Sequence, residues 1–148
     1  MGIRVDDDSD LSGRVELWAA KLPLVGLVAW HYWLIVDRGE CYDRWEVWQT
    51  KGLTTNSWGY LYRNLGDRSA GVGNGEGWRI ETWSGDRGQC LAGRIERSPT
   101  EYPWRDHYFV FPGPNSNTYV QWVLREHYQL SWHGIGRRYV RHAAKAKA

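Results

Sequence analysis

The segment FPGPNSNTYVQWV (111–123) sets Ser116 among Asn115, Asn117 and Thr118 at the expected start of a helix. Free N–H groups and the helix dipole favour negative charge there, which suits a nucleophilic hydroxyl and the oxyanion it generates. The same residue types are preferred N-caps, so the run also reads as plain capping chemistry. A base is the second requirement. His31 lies in the apolar run AWHYWLI, where alternation puts Ala29, His31 and Trp33 on one face and Trp30, Tyr32 and Leu34 on the other. An imidazole in such a strand needs a partner, either as a general base or as a structural hydrogen bond. Glu46 or Asp43, on the next expected strand, is placed to orient it, and His107 is a further candidate to orient or assist.

Other chemistries have less support. The histidines show no HxxxH or HExxH spacing, so neither a metal nor another cofactor is expected. The two cysteines form no CxxC pair. Cys41 falls at a turn and Cys90 on the expected apolar face of a helix, which reads as buried and inert. No phosphate-binding glycine pattern is present.

The elements that must position Ser116 and His31 follow from periodicity. RVELWAAKL (14–22), LVAWHYWLIVD (27–37) and CYDRWEVWQT (41–50) read as an antiparallel meander. Residues 51–77, with four glycines in 71–77, read as a long loop or flap. WRIETWS (78–84) reads as a strand, residues 86–97 as a helix ended by Pro99, DHYFVF (106–111) as a strand and 117–127 as a helix. The order predicts an α+β domain over 13–140, between an acidic leader (1–12) and a basic tail (141–148).

The chain has 148 residues and a formal net charge of only +2, which argues against a dedicated nucleic-acid binder; the basic tail is the one feature pointing that way. The most apolar stretch, 22–36, is too short to span a membrane and is broken by Pro23, Gly26 and His31. With no signal peptide and no disulfide framework, a cytoplasmic protein is the expectation. Eleven tryptophans make both an aromatic core and an aromatic cleft plausible.

YPWRDHYFVFPGPNSNTYVQWVLREH followed by GIGRRYV resembles the signature end of an uncharacterised bacterial domain family, which carries YP[YW]…Y…WPGPNSNTF and then a helix and an IG-[KR]-x-Y segment. VELWAAKLP, HYWLIV and YDRWEVW are similar to that family's opening strands. More distantly, the chain resembles circularly permuted papain-like proteins of the NlpC type and relatives of lecithin:retinol acyltransferase. That resemblance implies a catalytic His on an early strand, matched by His31. It also implies an Asn-Cys pair opening a late helix, matched here by Asn115-Ser116, with serine in place of cysteine.

Two functions follow as expectations. One is a hydrolase or acyltransferase for amide or ester bonds, with Ser116 as nucleophile and His31 as base, assisted by Glu46 or His107. The other is an inactive binding module whose aromatic cleft holds a glycan, peptide or lipid-like small-molecule ligand. Trp30, Trp33, Trp104, Asn115 and Asn117 are its candidate ligand-binding residues, with Trp58 and Trp83 as further rings.

Overall fold

The computed structural model describes residues 13–73 and 75–141; the acidic leader and all of the basic tail beyond Arg141 lie outside the described residues. The protein is α+β, with a six-stranded antiparallel sheet in the order β4-β5-β3-β2-β1-β6. Its strands are β1 (Arg14–Lys21), β2 (Trp30–Asp37), β3 (Tyr42–Val47), β4 (Ser57–Trp58), β5 (Leu61–Arg63) and β6 (Trp78–Trp83). Two helices follow, α1 (Gly85–Glu101) and α2 (Ser116–Leu124), the second running into a 3-10 turn at Arg125–His127. The meander is present as expected, with β1 and β2 in register from Arg14↔Asp37 to Lys21↔Trp30.

Alternation gives the sheet two different faces. Val15, Leu17, Ala19, Tyr32, Leu34, Val36 and Trp45 point to one side and pack with Leu91 and Ile95 of α1 and Tyr119, Val120 and Val123 of α2. The opposite face carries Glu16, Trp18, Ala20, His31, Trp33, Ile35, Arg44 and Glu46, all but Trp18 buried. The segment between β5 and β6 covers it. Trp33 donates its indole N–H to Arg68 O at 2.9 Å, and Arg44 reaches Asp67 O and Ala70 O. Gly77 is needed for this close approach: a Cβ there would stand 2.2 Å from the Trp33 ring.

The structure therefore corrects the reading of 51–77 as one long loop. It contains β4 and β5, which extend the sheet beyond β3, and the strap from 64 to 77 that shields the polar face. The expected strand at 106–111 is absent. Phe109, Val110 and Phe111 are exposed, Phe109 N donates to Pro114 O within its own turn, and Pro112 and Pro114 lack the N–H groups a ladder would use. Pro99 does not end α1 before Glu101, because Ser98 Oγ donates to Ile95 O at 2.6 Å, the carbonyl a residue-99 N–H would have served. Cys90 is exposed, not buried: Gly88, Leu91, Ala92 and Ile95 form the inner face of α1 and exclude it.

Candidate active site

β2 and β3 pair only from Leu34↔Trp45 to Asp37↔Tyr42. Beyond Trp45, β3 turns to β5, with Val47 opposite Leu61 and Trp48 N donating to Tyr60 O at 2.9 Å. The first residues of β2 thus lose their neighbour, and the start of α2 fills the gap. Asn117 Oδ1 accepts from Tyr32 N at 3.2 Å, and its Nδ2 donates to Trp30 O at 2.9 Å. One side chain of α2 therefore binds the backbone on both sides of His31.

The local chemistry of 113–118 explains how this helix start is held. Asn115 is the N-cap, its Oδ1 accepting from Asn117 N at 3.0 Å and Thr118 N at 3.3 Å. Asn115 N donates in turn to Thr118 Oγ1 at 3.0 Å, closing a capping box. Asn115 Nδ2 also reaches Val110 O and Ile135 O, and Thr118 Oγ1 donates to Gly136 O at 2.7 Å. Gly136 sits at φ +94, and a Cβ there would meet the Asn115 side chain at 2.2 Å, so glycine is required for this closure. Asn115, Asn117 and Thr118 are all buried and fully engaged.

Ser116 differs from its three neighbours. Its hydroxyl and its backbone N–H make no hydrogen bond among the described residues, and it is half-buried. It lines a cavity of about 170 Å³ together with His31, Leu22, Val47, Trp48 and Val72, with Tyr108 and Val110 completing the wall. Capping and an unengaged hydroxyl thus coexist: the cap occupies the N–H groups of residues 117 and 118 and leaves that of Ser116 open.

His31 is 2% exposed and its ring is fixed on several sides. Nε2 lies 2.7 Å from Glu46 Oε2, Trp48 meets the ring edge-on at 5.1 Å, and Trp33 lies at 5.8 Å. Burial alone would raise the Glu46 pKa. The hydrogen bond and charge of His31, joined by Arg44 at 2.8 Å, outweigh it and hold the carboxyl below its ordinary value. An ionised carboxylate can only accept, so the proton of this bond belongs to Nε2. Nδ1 has no partner among the described residues, and whenever the ring is neutral it carries the free lone pair.

The structure brings Ser116, His31 and Glu46 to one place. His107 is exposed, does not line the cavity, and offers its backbone N–H to Trp104 O. Asp43 pairs with Asn64 Nδ2 at 2.6 Å, away from His31, because it is one residue out of step with Arg44 and Glu46. The tryptophans do not form a common cleft. Trp33 is wholly buried, Trp83 is core, Trp58 stacks on Trp45, Trp104 packs on Tyr102 and Tyr139, and Trp30 stacks on His133 at 3.8 Å. Asn115 and Asn117, expected near a ligand, are consumed by the fold. Sequence reasoning missed Arg44, which alternation on β3 could have found two residues before Glu46. It also missed Trp48, Val72, Tyr108 and Val110, of which Val72 and Val110 come from irregular chain with no periodic signal.

A strand-borne His–carboxylate pair and a helix-start serine thus line one cavity of an α+β sheet protein. Over residues 12–139 the chain matches the family described as a protein of unknown function (DUF3750), and it belongs to that family. No curated protein and no solved structure matches it.

Proposed function

We propose that this protein is a hydrolase or acyltransferase of amide or ester bonds, with Ser116 as nucleophile, His31 as general base and Glu46 as the group that orients His31. The observation that carries this reading is the cavity lined by both Ser116 and a His31 whose Nε2 is committed to a buried carboxylate. The arrangement also supports kinship with permuted papain-like enzymes, in which an early strand supplies the base and a late helix start supplies the nucleophile.

Ser116 Oγ attacks the acyl carbon as its proton passes to His31 Nδ1, and Glu46 stabilises the imidazolium. The carbonyl oxygen gains the negative charge and meets the open Ser116 N–H at the positive end of α2. Collapse expels the amine or alcohol, which takes the proton from His31 and leaves an acyl-serine. Water then releases the acid, or a second alcohol or amine accepts the acyl group. Leu22, Val47, Val72 and Val110 make the walls apolar, which suits an acyl or other apolar group beside the scissile bond.

A fluorophosphonate probe tests the proposal. Labelling of the natural chain is expected, with loss in both Ser116→Ala and His31→Ala. Equal labelling of Ser116→Ala and the natural chain would refute the assignment. An unlabelled but folded natural chain would instead favour the inactive binding module.

A further inference from the structure

A second cavity lies at the C-terminal end of α2, built from residues that the proposed reaction does not use. It measures about 320 Å³ and is lined by Gln121, Arg125, Gln129, Arg137, Arg138 and Arg141 on its polar side, with no carboxylate in its wall. Several arginines elsewhere in the fold find acids: Arg14 and Arg68 meet Asp37, Arg44 meets Glu46, Arg97 meets Glu101 and Arg38 meets Glu96, while Arg63 and Arg94 reach the neutral oxygens of Asn56 and Val123. Arg125, Arg137, Arg138 and Arg141 form no ion pair within 4 Å of a carboxylate among the described residues, although Arg125 lies within electrostatic reach of the neighbouring Glu126. None of the chain's 17 acidic residues falls within 107–125 or 127–148. Glu126, between those spans, is 79% exposed on its side chain, lies 4.0 Å from His127 and does not line the cavity.

The cluster is held in place. Gln121 donates to Arg125 O at 3.2 Å and Tyr128 O at 2.8 Å while accepting from Leu130 N at 2.9 Å. This fixes the chain leaving α2 with Arg125 at φ 48, a conformation that non-glycine residues rarely adopt and that concentrates at ligand sites. Arg137 has only long contacts of 3.4 Å to Trp132 O and Gly134 O. Burial, with the charges of Arg138 and Arg141 beside it, holds its guanidinium below the ordinary pKa. The negative end of α2 offsets part of one positive charge; nothing in the wall offsets the rest.

We propose that this arginine-lined cavity is a binding site for a phosphate-bearing anion. Guanidinium groups form paired, charge-assisted bonds to phosphate oxygens, and several around one hollow match a group with three or more acceptor oxygens. The concave shape suits a small phosphate ester or a lipid headgroup more than the extended track of a nucleic-acid backbone. The site stands independently of the His31–Ser116 chemistry.

The test uses the Ser116→Ala chain, so that reaction at the other site plays no part. Inorganic pyrophosphate is expected to raise its melting temperature above chloride at equal ionic strength. Arg138→Gln and Arg141→Gln should each weaken that binding roughly tenfold, the scale of one charge-assisted bond. Co-sedimentation with phosphatidic acid vesicles, compared with phosphatidylcholine alone, separates the two sources. Pelleting that pyrophosphate competes away identifies a headgroup site, and a thermal shift without pelleting identifies a free phosphate; either supports the proposal. Absence of both effects, or effects undiminished in the Arg138→Gln/Arg141→Gln double variant, would overturn it.

Discussion

The same face of the sheet carries two buried charged nodes, and they are built differently. At one, Glu16 and Asp37 are surrounded by Arg14, Arg68 and Arg79, and the Trp18 indole donates to Glu16 at 2.7 Å. Every negative charge there is answered by arginine. At the other, Glu46 is shared between Arg44 and His31, and His31 alone opens onto a cavity. Both nodes fasten the strap, through Arg68 and through Arg44, but only the second ends on an imidazole whose other nitrogen has no partner among the described residues. Burial of a carboxylate therefore does not mark the site; what stands at the end of its hydrogen-bond chain does.

The comparison predicts unequal costs. Glu46→Ala leaves Arg44, which is 3% exposed, with carbonyl partners but no counter-charge, and should destabilise by about 3–5 kcal/mol in urea unfolding. Glu16→Ala should cost less, about 1–3 kcal/mol, because Arg14, Arg68 and Arg79 reach water and can be resolvated. Probe labelling per folded molecule should fall only in the first variant. Equal costs, or lost labelling in Glu16→Ala, would merge the two nodes into one.

Acid sharpens the same contrast at smaller amplitude. Burial pushes the Asp37 carboxyl up, but the Gly39 N–H, Arg68 and Arg14 hold it below its ordinary value, as His31 and Arg44 do for Glu46. A carboxyl lowered by folding stabilises the fold fully above its unfolded pKa, about 4 for these residues, and loses that contribution as pH falls through the lower folded value. Unfolding free energy should thus drop below about pH 4 in the natural chain. Asp37→Asn and Glu46→Gln should each flatten part of that slope, and an unchanged slope in both would mean that other carboxyls control acid unfolding.

Legibility in the sequence followed periodicity. The meander, His31 on the face of Trp33, and Glu46 as its neighbour were readable because strands alternate with period two. The start of α2 was readable because four capping residues in succession admit few other structures. The strap was not: Val72 and the Asp67 and Ala70 carbonyls act through tertiary position, and glycine-rich chain carries no pattern that says which face it will cover. The segment 106–111 misled for a related reason. Its aromatic run has strand composition, yet its backbone turns back on itself, Phe109 N donating to Pro114 O, and the sheet ends at β4 and β6 without it. The division of labour within NSNT, three residues fastening and one left free, was invisible because all four types cap equally well.

The mildest change tests the node most directly. Ser116→Ala removes a hydroxyl with no partner, so its stability should stay within about 0.5 kcal/mol of the natural chain. Ser116→Cys, made with Cys41→Ser and Cys90→Ser, replaces one oxygen by sulfur and installs the nucleophile the distant resemblance implies. If His31 Nδ1 and the N-terminus of α2 both act on position 116, iodoacetamide should alkylate this thiol with a midpoint well below the ordinary value of about 8.5. Adding Glu46→Gln removes the charge that sustains the imidazolium, and the midpoint should return toward that value. A thiol that titrates normally with Glu46 intact would leave the N-cap as architecture, and would place the His31–Glu46 pair in the same class as the saturated node beside it.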